Sequence, residues 1–118
     1  MHARGESGAC LAAADQLLTL AQPNNMRELT AIALRWRGEA LIADKHFTPA
    51  REALMQASEL TEAIARPRLS WDVHRSLARL ARQTGAAKEE HRRRAAAQEI
   101  AARIEHDLSG AELRFASV

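Results

Sequence analysis

The chain is poor in residues that interrupt helices and in residues that perform covalent chemistry. Its 118 positions include one cysteine, three prolines and five glycines. Cys10 alone cannot form an internal disulfide, so nothing marks an oxidising compartment. No signature of a nucleophile surrounds it, and a small buried hydrophobe is the expectation. Aromatic residues make up only 3%, which leaves no aromatic ladder of the kind that stacks bases. The histidines at 2, 46, 74, 91 and 106 do not fall at metal-ligand spacing. There is also no glycine-rich phosphate loop, no Ser/His/Asp arrangement and no recognisable pair of catalytic carboxylates. Catalysis, a metal and a cofactor are therefore not expected. The first eight residues contain no apolar leader core, and no apolar run approaches membrane-spanning length, so a soluble, cytoplasmic protein without a membrane partner is expected.

What the chain does contain is apolar residues (47%) and a balanced charge of 17 basic against 15 acidic groups, net +2. That apolar fraction is ordinary for a globular domain and argues against disorder. The length suits one domain, 1–118, with a modest core. Only Lys45 and Lys88 are lysines, so the basic pI of about 9.3 comes from arginine, the residue suited to bidentate recognition of carboxylate or phosphate.

Apolar residues recur at three-to-four spacing through five segments, about 6–22, 26–44, 49–65, 71–84 and 87–107, with 108–118 as a tail. The first carries Leu11, Ala14, Leu17, Leu18 and Ala21, and Pro23-Asn24-Asn25 breaks it. The second has two apolar stripes, one through Leu29, Ile32, Ala33, Trp36, Ala40 and Ala43 and the other through Leu34, Gly38 and Leu41. A helix apolar on two sides needs two neighbours. Gly38 costs about 0.5–1 kcal/mol against alanine in mid-helix, which calls for a packing reason, the close approach of another helix. Thr48-Pro49 reads as an N-cap with proline at the first helical position of the third helix, whose inward set is Ala50, Ala53, Leu54, Ala57, Leu60 and Ile64. Arg66-Pro67-Arg68 reads as its end, and Ser70 as the cap of a fourth helix with Val73, Leu77, Leu80 and Ala81 inward. Gly85 then occupies a C′ position, and the last helix turns Ala97, Ile100, Ala101, Ile104 and Leu108 inward. With no strand signal, the expected class is all-α, about five helices in antiparallel hairpins.

The hairpins repeat. Placing Gly38 on Ala78, forty residues on, pairs Leu34 with His74, Leu41 with Ala81, Phe47 with Ala87 and Ala57 with Ala97. A small residue thus lies midway along each first helix, and an alanine-rich helix follows each short turn. The stretch Leu34-x-x-x-Gly38-x-x-Leu41, then Phe47, Ala50, Leu54 and Ala57, resembles the tetratricopeptide repeat. Arg37 departs from the usual large apolar residue and Lys45 from the usual turn glycine. In the second copy Glu90 stands for alanine and Arg94 for an aromatic or leucine. The period is longer than the about 34 residues of the standard repeat. It is similar instead to the tetratricopeptide-like regions that follow an ATPase module in LuxR-type transcriptional regulators and some adenylate cyclases. Trp71-x-x-His74-x-x-Leu77-Ala78-Arg79-Leu80-x-x-x-x-Gly85 and the closing Asp107–Phe115 stretch look like the last repeat of such regions. The resemblance implies a short right-handed tetratricopeptide-like solenoid and a non-catalytic protein-interaction scaffold of a bacterial signalling or transcriptional regulator. The chain opens on what aligns as the second helix of a hairpin, so a fragment or truncated relative of a longer protein is expected. The face of Leu11 and Leu18 would then be uncovered and available for homo-oligomerisation.

Carrying over the concave-face positions of the family by spacing selects Ile32, Arg35, Glu39 and Ile42 from the second helix and Asp72, Arg75, Arg79 and Arg82 from the fourth. Arginine forks on one face suit an acidic peptide or a C-terminal carboxylate. The competing reading is a solvated face neutralised by Asp72, Glu39 and Glu28. Lys88, Arg92, Arg93, Arg94 and Arg103 form the densest basic stretch and the basis of an alternative, a basic helical nucleic-acid-associated protein. Interleaved Glu89, Glu90 and Glu99 argue for a polar helix face instead, so nucleic acid is not the expected partner. Trp36 and Trp71 are expected in the core, as is His74 unless it caps a turn.

Overall fold

A computed structural model of the chain describes residues 4–116, with side-chain surroundings for 8–107. It is all-α, with five helices: α1 (Arg4–Ala21), α2 (Arg27–Ala43), α3 (Phe47–Ala63), α4 (Pro67–Gln83) and α5 (Ala87–Ala116). Each packs on its successor, α2 also touches α4, and no other pair meets among the described residues. The molecule is elongated, 52 × 37 × 28 Å. Its radius of gyration is 16.1 Å, where a compact chain of this length would have about 13.5 Å.

The regularity comes from the turns. Four residues take left-handed φ: Asn25, Lys45, Ala65 and Gly85, one every twenty residues. Around each, the same two bonds close the preceding helix. The N–H groups of Met26, His46, Arg66 and Ala86 donate to the carbonyls of Ala21, Leu41, Thr61 and Ala81 at 2.8–3.3 Å, and those of the left-handed residues donate three residues back. This is the Schellman closure, which satisfies carbonyls that a helix end would otherwise leave open. The next helix then starts two residues on, so α2, α3 and α4 each have 17 residues, about 25 Å. The repeat of about forty residues is thus two of these units.

Packing follows the expected stripes. Leu34, Leu41 and Ile42 of α2, Ala50, Ala53, Leu54 and Ala57 of α3, and Val73, Leu77 and Leu80 of α4 form one buried cluster. Gly38 has its packing reason: a Cβ there would lie 2.5 Å from Leu54 Cγ, in a side chain with no exposed surface. Small residues at such crossings let helix axes come close.

Several expectations are corrected. The third helix begins at Phe47, with His46 before it, so Thr48 is not its cap. The fourth begins at Pro67, so Arg66-Pro67-Arg68 is a helix start rather than an end, and Ser70 lies inside the first turn with its N–H on the Arg66 carbonyl. Both prolines sit in first turns, where no N–H partner is lost. The last helix does not stop at 107: residues 108–116 continue it, although Leu108 has its side chain outside the described residues. Ile42 is buried in the core rather than lining a face, and Ala101 is exposed rather than inward. Leu11 and Leu18 are half-buried against the core. Among the described residues no helix is long and apolar enough to cross a membrane.

Candidate functional site

Along α4 the core takes Val73, Leu77, Leu80 and Ala81, and the remaining stripe turns outward with Arg75, Arg79 and Arg82. This stripe borders an open cleft of about 560 Å³ between α2, α4 and α5. Arg35 and Glu39 line it from α2, Trp71, Arg75, Ser76, Ala78, Arg79 and Arg82 from α4, and Arg94, Ala97, Gln98 and Ala101 from α5. Five arginines therefore meet one glutamate. Of the residues selected by spacing, Arg35, Glu39, Arg75, Arg79 and Arg82 are brought together, whereas Asp72 does not line the cleft and Ile32 is half-buried outside it. Asp72 shares a helix face with Ser76 and Arg79 but lies a turn nearer the start of α4, outside the lining. Trp71, Ser76, Arg94 and Gln98 were not foreseen.

The one internal counter-charge is already engaged. Arg79 Nη1 donates to Glu39 Oε2 at 2.6 Å, Ser76 Oγ to Glu39 Oε1 at 2.7 Å, and Arg35 Nε to Ser76 Oγ at 3.1 Å. This chain ties α2 to α4 across the buried Ser76. Arg68 and Arg75 lie over the half-buried Trp71 ring, 5.1 and 4.7 Å from its centre, which is cation–π distance. Arg94 pairs with Glu90 on its own helix at 2.9 Å. Arg35, Arg75 and Arg82 form no ion pair among the described residues. No carboxylate of the described residues therefore pairs with them, while the paired ones sit in largely exposed bridges that contribute little.

On the opposite side of α4 lies a second polar cluster. Glu89, 9% exposed, accepts from Arg93 Nε at 3.0 Å and from Arg92, with Arg51 of α3 at 3.9 Å. Arg93 Nη1 lies 3.3 Å from Nδ1 of His74, and its Nη2 lies 3.4 Å from Met55 Sδ. The hydrogen bond from Arg93 holds the Glu89 carboxyl below its ordinary pKa against the opposing effect of burial. Burial, reinforced by the Arg93 charge and opposed by Glu62, lowers the pKa of His74. His74 therefore packs between helices as an acceptor for Arg93 and does not cap a turn. The basic run 92–94 is thus engaged by Glu89 and Glu90, and Arg103 by Glu99 at 2.8 Å.

Trp36 departs from the expectation of a core residue: it is 41% exposed, and Leu20 and Met26 are the other large apolar side chains exposed to this degree among the described residues. Forty residues on, its counterpart is Ser76, which is buried because α2 precedes α4 there. Cys10 is half-buried, its thiol 3.6 Å from the Trp36 carbonyl. Among the described residues no group of three or more His, Cys, Asp or Glu side chains is placed to hold a metal ion. No family model, no curated protein and no solved structure matches the chain.

Proposed function

We propose that this chain is a tetratricopeptide-like interaction scaffold with no chemistry of its own, which captures an acidic segment of a partner protein in the arginine-lined cleft. The observation that carries this reading is the convergence of five arginines from three helices on a cleft whose lining includes one carboxylate, Glu39, with Arg94 also paired to Glu90 beside it. Fixed guanidinium forks in one cleft suit carboxylates better than they suit a solvated role. The forty-residue register and the turns repeated every twenty residues support the tetratricopeptide-like reading. With that likeness comes the setting we propose, a cytoplasmic bacterial regulator of the ATPase-linked type.

The test is fluorescence anisotropy of a glutamate-rich peptide against the 118-residue chain, with a DNA duplex of equal charge beside it. The peptide should bind more tightly, and the pair Arg75→Glu and Arg82→Glu should weaken it at least about tenfold. Preference for the duplex, with affinity falling steeply as salt rises, would instead favour the nucleic-acid alternative.

A second reading rests on Trp36, Leu20 and Met26, apolar side chains exposed by 40–56%. It is self-association through this end of the array. Sedimentation equilibrium over a concentration series, with Trp36→Ser as the control, decides it: a monomer at every concentration ends the reading.

A further inference from the structure

The forty-residue register says more about the cleft than its charge does. In the first copy, α2 and α3 form a groove, and α4 lies in it. α4 packs on α3 and touches α2, Ser76 is held by Arg35 and Glu39, and Val73 and Leu77 join Ile42, Leu54 and Ala57 in the core. In the second copy α4 and α5 form the corresponding groove, and it is the cleft. Gly38 maps to Ala78, Ile42 to Arg82, Leu54 to Arg94, Ala57 to Ala97 and Thr61 to Ala101, and all five counterparts line the cleft.

We infer that the occupant is an amphipathic α-helix of a partner protein, lying on α4 and α5 as α4 lies on α2 and α3, with acidic residues along the edges of its buried face. This rests on the acid-binding reading above and gives its ligand a shape. The floor suits a helix: Ala78 and Ala97, at the register positions of Gly38 and Ala57, are 4 and 5% exposed and carry no side chain beyond Cβ to obstruct a neighbour. The rims differ. Where the filled groove has Ile42 and Leu54, buried under α4, the open one has Arg82 and Arg94, both exposed. A partner helix with leucines at those edges would strand two guanidinium groups, whereas glutamates at three-and-four spacing would pair them. Arg94 has only to exchange Glu90, and Arg79 only Glu39, both exposed pairs of low cost. Arg75 stays stacked on Trp71 at one end, which aims its fork at the groove without demanding new order.

The experiment uses the full chain and three fluorescein-labelled peptides as long as α4. One is alanine-rich and carries glutamates in a stripe at three-and-four spacing. The second has the same composition with the glutamates scattered around the helix. The third has equal charge but is interrupted by prolines and cannot form a helix. The striped peptide should bind at least about tenfold more tightly than either control and gain helicity by circular dichroism on binding. Arg82→Glu with Arg94→Glu should cost about tenfold or more in affinity. Ala101→Trp, which fills the groove without changing charge, should weaken the striped peptide similarly. Both variants alter exposed positions, and thermal melts verify that they fold. If the scattered or proline-containing peptide binds equally, or Ala101→Trp has no effect, the helix is overturned while the acid-binding reading stands. If none of the three binds at low salt, or a DNA duplex displaces the striped peptide, both fall.

Discussion

The two grooves of this molecule share a backbone and differ in their contents. Between α2 and α3, Gly38, Ile42, Leu54 and Ala57 are sealed by α4, and Leu54 has no exposed surface. Between α4 and α5, Ala78, Arg82, Arg94 and Ala97 occupy the same positions beside an open cleft. Small residues are kept where helices must approach, and large apolar ones give way to arginine where no helix of the described chain follows. Repetition of geometry therefore does not imply repetition of chemistry. The side chains at one register position report whether that groove is core or surface.

The sharpest way to break the comparison is to truncate one register position in both copies. Leu54→Ala should cost about 3 kcal/mol, as removal of a fully buried leucine does. Arg94→Ala, at the equivalent position, should change stability by less than about 0.5 kcal/mol. Urea denaturation of the two variants measures both. Equal losses would mean that the second groove is also core.

A smaller contrast lies at the helix crossings. Gly38→Ala improves helix propensity but drives a Cβ to 2.5 Å from Leu54 Cγ. Overpacking should win, for a net loss of about 1–2 kcal/mol. In a Leu54→Ala background the clash is gone, and Gly38→Ala should become neutral or stabilising, a coupling that a double-mutant cycle reads directly. Without that sign change, Gly38 would owe its place to something other than α3.

Much of this was legible beforehand, for physical reasons. Periodicity exposes inward stripes, so Val73, Leu77, Leu80 and Ala81 were found buried as read, and a mid-helix glycine signals a close crossing, as Gly38 does. Spacing set Arg75, Arg79 and Arg82 on one helix face, and the concave-face positions carried over from the tetratricopeptide resemblance grouped them with Arg35 and Glu39, which the cleft brings together. What escaped depends on neighbours distant in sequence. Arg94 and Gln98 enter the cleft only through the packing of α5 on α4. Trp36 reads as core on its own helix, and its exposure is set by what lies beside α1 and α2. Glu89 and Arg93 are a visible i,i+4 pair, but their reach to His74 and Met55 requires the tertiary fold. Pro67 read as a stop because a proline after a helix and one at the first position of the next look alike when the turn between them is three residues.

The turns allow a comparison of about 1 kcal/mol. Ala65 and Gly85 hold equivalent left-handed positions, at φ 52° and 76°. A side chain there is strained, and glycine is not. Ala65→Gly should therefore stabilise by about 1 kcal/mol and Gly85→Ala destabilise by about as much. Chemical denaturation should show opposite signs for these mirror-image changes. The same sign would mean that the unfolded-state entropy of glycine outweighs the strain.

The smallest signal is a slope with pH, and it separates the two sides of α4. The cleft side is lined by five arginines and no histidine. On the other side the pKa of His74 is lowered from 6.5 by burial first and by Arg93 second. The unfolded chain then binds the proton more readily than the folded one, so the contribution is complete above about pH 6.5 and is lost as pH falls through the lower folded value. Glu89, lowered from 4.5 chiefly by its hydrogen bond from Arg93, contributes fully above about pH 4.5 and loses its share only on further acidification. Two successive declines are expected in the denaturation midpoint between pH 7 and 3. His74→Phe should flatten the first and leave the second, because Glu89 keeps its bond to Arg93. Arg93→Leu should reduce both, since it removes the charge that depresses His74 and the donor that depresses Glu89. If His74→Phe leaves the upper slope unchanged, that slope does not come from His74, and the cluster behind the cleft is packing alone.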